Sequence, residues 1–153
     1  MVNPTPHPTA AKILVVDHDQ AERSVLSRQL SRAGYSVFEA ADASVAFSFA
    51  RRVRPDLIVL DIFFPPDAGQ SGNSWTAFMI VDWFRRMGVI ENTPVIIVSG
   101  AGLEQLRDRC PTGGVEAFLA RPVDTRELLA AVRRLLDDRR GPTTAEPRVA
   151  TAS

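Results

Sequence analysis

The sequence is poor in cysteine, in long apolar runs and in net charge, and each shortage excludes a class of protein. Its 153 residues contain one cysteine, Cys110, which cannot form an intramolecular disulfide and indicates a reducing, cytoplasmic compartment. No apolar run approaches the roughly 18 residues of a membrane-spanning helix, and residues 1–12 lack the apolar stretch of a secretory signal. The 18 basic and 18 acidic residues balance, so the basic excess typical of nucleic-acid binding is missing.

The remaining composition is that of a globular protein with one core. Hydrophobic residues make up 45% of the chain and charged residues 24%, which is enough apolar surface for a single domain. Residues 1–11 contain three prolines and are predicted to form a flexible arm. Two further prolines predict a flexible tail over residues 141–153. The predicted domain therefore covers residues 12–140, with no output domain expected after it.

Five short apolar segments alternate with segments of helical periodicity. The predicted strands cover residues 13–16, 36–40, 57–61, 95–99 and 116–121, and the predicted helices cover residues 20–33, 43–53, 75–87, a short segment near 103–109 and a last helix after Asp124. Unbroken apolar strands are typical of sheets covered on both faces. The alternation predicts an α/β fold with a parallel sheet and helices on both faces.

Polar residues stand at the carboxyl ends of four of the predicted strands: Asp17, Asp61, Ser99 and Arg121. The carboxyl ends of parallel strands meet at one edge of the sheet, so these side chains are expected to converge. Adjacent carboxylates repel unless a cation or a proton lies between them, and Mg²⁺ prefers such oxygen ligands. A carboxylate can also act as a nucleophile and form an aspartyl-phosphate, whose oxygens a hydroxyl and a cation would hold.

Four sequence segments together carry a family resemblance. They are ILVVD at 13–17, PDLIVLDIFFP at 55–65, TPVIIVSG at 93–100 and FLARPV at 118–123. Over about residues 12–138 the chain resembles a response-regulator receiver domain of two-component and phosphorelay signalling. The resemblance implies a flavodoxin-like, doubly wound, five-stranded parallel sheet with strand order 2-1-3-4-5. It also implies an aspartate that accepts a phosphoryl group from a histidine kinase in the presence of Mg²⁺.

The resemblance assigns roles to individual positions. Asp61 matches the phospho-acceptor, and Ser99 matches the switch hydroxyl that contacts the phosphoryl group. Arg121 occupies the usual lysine position. Phe118 matches the switch aromatic, and Pro122 matches a proline that is usually preceded by a cis peptide bond.

The implied metal site departs from the family pattern. Asp17, Asp61 and the backbone carbonyl of Phe63 match metal ligands, but the second of two adjacent family acids is replaced by His18. Asp19, one residue further on, is an additional candidate ligand. Neutral imidazole is a poor Mg²⁺ ligand, so Mg²⁺ is expected to bind weakly. The sequence favours a solvent-facing loop position for His18 over a role as a ligand.

Two more departures leave alternatives open. Arg121 keeps a positive charge, but its planar guanidinium does not overlay an ammonium group. Its presence indicates either codon drift from lysine to arginine, in a chain with 17 arginines and one lysine, or loss of the phosphoryl switch. The segment 65–74 is longer than usual for the family and is either a lid or, as we favour, a tolerated surface insertion.

Two functions follow from these residues. The first is a stand-alone, non-enzymatic receiver, phosphorylated on Asp61, that switches a protein-interaction face; the alternative is a pseudo-receiver that binds partners without phosphorylation. The expected partners are a histidine kinase or phosphotransfer protein and a downstream protein, without direct binding of nucleic acid or membrane. A homodimer, if formed, is expected to use the helix near 103–109, the fifth strand and the last helix. A phosphatase is disfavoured because Phe63, not an acid, stands two residues after Asp61.

Overall fold

The computed structural model of the chain describes residues 10–61, 63–64, 75–100 and 115–139. Nearly all of the predicted arm, the whole predicted tail, the segment 65–74, the helix near 103–109 and Cys110 lie outside the described residues. The side chains of residues 63, 64, 75 and 76 lie outside them as well.

Helices and strands alternate along the described part of the chain. The elements are β1 (Lys12–Val16), α1 (Gln20–Arg32), β2 (Ser36–Ala40), α2 (Ala43–Val53), β3 (Leu57–Asp61), β4 (Phe63–Phe64), β5 (Trp75–Thr76), α3 (Ala77–Arg86), β6 (Val95–Ser99), β7 (Ala117–Ala120) and α4 (Thr125–Arg139). Five parallel strands form one sheet in the order β2-β1-β3-β6-β7. This order confirms the predicted topology. Among the described helices, none is long and apolar enough to cross a membrane.

The parallel sheet separates two hydrophobic cores. Alternate strand residues point to opposite faces, and nearly every residue of β1, β3 and β6 is buried. The core beneath α2 and α3 contains Leu14, Val16, Ala46, Ala50, Ile58, Leu60, Ile80, Phe84 and Ile97. The core beneath α1 and α4 contains Ile13, Val15, Leu26, Leu30, Val59, Ile96, Val98, Leu128 and Val132. Helices therefore cover both faces, as the sequence predicts.

Local sequence signals set the ends of the first two helices. The carboxylate of Asp19 accepts a hydrogen bond from the backbone N–H of Glu22 at 3.1 Å, and that of Asp42 accepts one from Val45 at 2.8 Å. These bonds satisfy N–H groups that have no partner inside the first helical turn. Gly34, just after α1, has a φ of 98°, a conformation that glycine adopts without steric cost.

A short hairpin corrects the predicted start of the third helix. Phe63–Phe64 pairs antiparallel with Trp75–Thr76, so α3 begins at Ala77 and not at residue 75. The backbone of these residues bonds across the hairpin, which prevents the helical conformation that their apolar periodicity favours. The last strand is also one residue shorter at each end than the predicted 116–121.

Candidate functional site

Two buried carboxylates lie side by side at the carboxyl edge of the sheet. β1 and β3 pair in a register that places Val16 opposite Leu60, so the next residue of each chain segment is an aspartate. Asp17 is 1% exposed and Asp61 is 6% exposed. Burial of two negative charges at one point is unfavourable unless cations or hydrogen-bond donors compensate them.

Arg121, directly after β7, supplies a compensating positive charge. Pairing of β6 with β7 continues past the strands, where the backbone N–H of Arg121 donates to the carbonyl oxygen of Ser99 at 2.9 Å. The Nη2 group lies 2.8 Å from Asp17 Oδ2 and 3.3 Å from Asp61 Oδ1. The Nη1 group pairs with Glu22 Oε2 in the first turn of α1. Arg121 thus joins both predicted site acids to a third acid.

The imidazole of His18 faces the same pair of acids. Its Nδ1 lies 3.0 Å from Asp61 Oδ2 and 3.8 Å from Asp17 Oδ1, and the side chain is 44% exposed. The residue is therefore half-exposed, as a loop position predicts, but its ring nitrogen points into the site rather than to solvent. Asp17, His18 and Asp61 each offer a ligand atom, and the three atoms lie within 4.8 Å of one another.

Asp19 contributes to the site through its backbone. Its carboxylate is the N-cap of α1, bonded to Glu22, and it is not part of the group of three ligand atoms. Its backbone N–H donates to Asp17 Oδ1 at 2.9 Å. The structure therefore does not bring the Asp19 side chain to the candidate metal ligands, because capping the helix holds that side chain.

The three converging donor atoms fit a divalent cation, and they suit a first-row transition ion better than Mg²⁺. The carboxylates of Asp17 and Asp61 are hard oxygen donors of the kind that Mg²⁺ selects. The third converging atom is the nitrogen of His18, a donor that first-row transition ions bind more readily than Mg²⁺ does. Fewer carboxylates and a nitrogen donor are both reasons to expect weak Mg²⁺ binding.

The remaining predicted site residues lie along β6 and β7. Ser99 is 1% exposed at the end of β6, at the same sheet edge as Asp61. The half-buried ring of Phe118, on β7, lies with its centroid 6.3 Å from that of Phe78 in α3. The peptide bond between Arg121 and Pro122 is cis, the isomer that the resemblance implies. The structure thus places Ser99 near the acids and Phe118 against α3.

Glu22 is a site-adjacent residue that the sequence alone did not single out. A local signal for its position does exist, since Asp19 and Glu22 stand three residues apart, as in a capping box. That spacing predicts a first-turn acid but not its partner. The contact with Arg121 depends on how α1 and the end of β7 meet, which no local pattern encodes.

Comparison with known proteins agrees with the topology of the sheet. A family model described as the response regulator receiver domain matches residues 13–133. Sporulation initiation phosphotransferase F of Bacillus subtilis is 33% identical over 127 residues, which cover 82% of this chain and 93% of that protein. The high-resolution structure of the chemotaxis protein CheY4 of Vibrio cholerae superimposes with a TM-score of 0.73 at 27% identity, covering 83% of this chain and 99% of that one.

Other relatives are longer than the chain. The DNA-binding dual master transcriptional regulator RpaA of a Synechocystis strain is 32% identical over 125 residues, which cover 82% of this chain and 48% of RpaA. The chain thus spans about half the length of that relative and about a quarter of the transcriptional regulator NtrC of a Bradyrhizobium strain, of which it covers 24%. Because the family model covers residues 13–133 and a relative that is 33% identical is matched over 93% of its length, the chain belongs to the response regulator receiver domain family.

Proposed function

We propose that the chain is a phosphorelay receiver, acting in the cytoplasm, in which Asp61 accepts a phosphoryl group from a histidine kinase or phosphotransfer protein. One observation carries this proposal: Asp61 is a buried carboxylate at the carboxyl end of the central strand β3, with Arg121 Nη2 at 3.3 Å. A nucleophile held between fixed cationic and hydrogen-bonding groups needs little rearrangement to react.

The transfer is a displacement at phosphorus. An oxygen of Asp61 forms the new O–P bond, the P–N bond of the donor phosphohistidine breaks, and its electron pair returns to the imidazole nitrogen. Negative charge on the phosphoryl oxygens is then stabilised by hydrogen-bond donors, for which Arg121 and the hydroxyl of Ser99 are the candidates. Both residues lie at the carboxyl edge of the sheet beside Asp61.

A divalent cation fits this mechanism as a weakly held component. Asp17, Asp61 and the backbone carbonyl of Phe63 would hold Mg²⁺, which when bound neutralises the acids and the incoming phosphoryl charge. His18 provides no negative charge at the position where the family has a second acid. This substitution is the reason to expect low Mg²⁺ affinity.

The output of the proposed receiver is a change at a protein-interaction face, with no reaction of its own. Ser99 ends β6, and Phe118 lies on the neighbouring strand β7 against Phe78 of α3. Movement of the hydroxyl toward the phosphoryl group would change the packing of that ring. The proposed partners are a downstream protein and, with a modest interface, a second copy using β7 and α4.

Labelling with acetyl phosphate and Mg²⁺, followed by intact-mass measurement, tests the proposal. The wild type is expected to gain the mass of one phosphoryl group, and Asp61→Asn is expected to gain none. Asp82→Asn, which removes an exposed acid on α3 that pairs with Arg86, is the matched control and should label like the wild type. Labelling that persists in Asp61→Asn would contradict the assignment of the acceptor.

The pseudo-receiver is the second candidate, and one observation favours it. Arg121 Nη2 contacts both Asp17 and Asp61, so a cation of the protein itself compensates the two acids, as a module that works without phosphorylation requires. Absence of labelling in the wild type, in a reaction where another receiver is labelled, would favour this interaction module over the phosphorelay receiver.

A further inference from the structure

The site formed by Asp17 and Asp61 contains a counter-cation that belongs to the protein itself. All four carboxylate oxygens of the two buried aspartates face nitrogen groups of the protein. Asp17 Oδ1 accepts from the backbone N–H of Asp19, and Asp61 Oδ2 faces His18 Nδ1. The other two oxygens, Asp17 Oδ2 and Asp61 Oδ1, share Nη2 of Arg121. This arginine is the one group at these contacts with a permanent positive charge.

The two arms of the Arg121 guanidinium have separate tasks. Nη2 contacts the two buried acids, which are 1% and 6% exposed, whereas Nη1 pairs with Glu22, which is 49% exposed. The arginine side chain itself is 17% exposed. A planar guanidinium can retain one ion pair while its other arm turns away, because the two arms are distinct donors. Glu22 therefore provides an anchor outside the pair of aspartates.

We propose that Arg121 is a resident counter-cation that a divalent ion has to displace from Asp17 and Asp61, and that Glu22 anchors the displaced guanidinium. The inference rests on the proposed binding of a divalent ion to those two acids. Glu22 acts through Arg121 and is a positioning residue in this scheme.

Charge arithmetic supports the displacement. Asp17 and Asp61 carry two negative charges, and Arg121 reduces the net charge of the three groups to one. A divalent ion bound to the same carboxylates would lie within a few ångströms of Nη2, where like charges repel strongly in a largely buried site. Removal of the arginine charge both ends this repulsion and leaves two uncompensated acids. The affinity for a divalent ion should therefore rise on loss of Arg121.

Titration of purified variants of the 153-residue chain with Mg²⁺ alone and with Mn²⁺ alone, followed calorimetrically, tests the displacement of Arg121. Arg121→Gln is expected to bind either ion at least about tenfold more tightly than the wild type. Arg121→Lys, which keeps the charge but lacks the second arm, should bind far less tightly than Arg121→Gln. Arg86→Gln removes an exposed arginine of α3, 77% exposed and paired with Asp82, and should leave the affinity unchanged.

The anchor is tested by a double-mutant cycle. Glu22→Gln is expected to weaken ion binding by about threefold in the wild type, the scale of a partly exposed ion pair, because the displaced arginine loses its partner. In the Arg121→Gln background the same change should have no effect beyond about 1.5-fold. A general loss of negative charge would weaken binding equally in both backgrounds and would overturn the anchor.

A further control does not depend on folding of the arginine variant. Glu39→Gln removes an acid of similar exposure, 43%, that pairs with Arg23 and not with Arg121. Glu22→Gln should weaken ion binding more than Glu39→Gln, and an equal effect would again overturn the anchor.

The possible failures are distinguishable. Equal ion affinity in the wild type and Arg121→Gln would overturn the displacement, while acetyl phosphate labelling of Asp61 would still support the proposed receiver. If neither variant binds Mg²⁺ or Mn²⁺, both the displacement and the divalent ion of the proposed mechanism are refuted.

Discussion

Replacing His18 by aspartate is expected to destabilise the ion-free protein. The imidazole Nδ1 lies 3.0 Å from Asp61 Oδ2 and 3.8 Å from Asp17 Oδ1, so a carboxylate at this position joins two buried acids. Like charges about 4 Å apart repel by about 4 kcal/mol at an effective dielectric constant of about 20. Solvent at this half-exposed position screens most of that repulsion, so we expect a loss of about 1–2 kcal/mol. The melting temperature without divalent ions should fall by several degrees.

Magnesium should reverse this order of stability. A third carboxylate restores an oxygen ligand and a negative charge at the site. We expect the free energy of Mg²⁺ binding to improve by about 1.4 kcal/mol, which corresponds to about tenfold tighter binding. Because an ion that binds only the folded state stabilises it, His18→Asp should overtake the wild type in melting temperature as Mg²⁺ increases. Differential scanning fluorimetry across a Mg²⁺ series, with a calorimetric titration, measures both effects.

His18→Asn is the matched control, because it removes the imidazole without adding charge. It should show neither the loss in the ion-free protein nor the gain with Mg²⁺. If His18→Asp and the wild type bind Mg²⁺ equally, another group already supplies the missing ligand and the reasoning about His18 is refuted.

Three further predictions concern stability and assembly. Leu128→Ala removes a fully buried side chain (0% exposed) beneath α4 and should cost about 2–5 kcal/mol in urea unfolding; a loss no larger than that of Leu129→Ala, on the half-buried face, would contradict the core assignment. Asp42→Ala removes the N-cap of α2 and should lower the free energy of unfolding by about 1 kcal/mol. Asp42→Ser, which keeps a capping oxygen, should lose much less stability. Dimerisation through the exposed, arginine-rich face of α4 should weaken with salt in sedimentation experiments, and a dimer that persists in molar salt would point to an apolar interface elsewhere.

The sheet was predictable because its signals are local and mutually consistent. Three unbroken apolar segments became the buried strands β1, β3 and β6, and the predicted range of α2, residues 43–53, matches the structure. Strand-end chemistry then followed from topology alone. Once β1 and β3 are neighbours in register, Asp17 and Asp61 have to meet.

The features that the sequence did not predict depend on contacts between distant segments. The β4–β5 hairpin consists of two-residue strands, too short to show an alternating pattern. The direction of the His18 ring depends on the conformation of a loop residue, and the contact between Glu22 and Arg121 depends on the packing of α1 beside the end of β7. In each case the contacting partner lies in another element, so neither composition nor periodicity predicts the contact.

Because the sheet separates two different cores, the fold should tolerate deletions and insertions within the strands much less well than substitutions. One core contains aromatic rings, among them Phe84, Phe47 and Trp83, whereas the other is mainly aliphatic. Deleting a single residue inside β1, β3 or β6 would move every following side chain of that strand to the opposite face. Aliphatic and aromatic layers would then be mismatched, and the acid after the strand would turn away from its partners. Insertions and deletions among natural variants of this chain should therefore be confined to the connections between elements, whereas conservative replacements can occur within the strands.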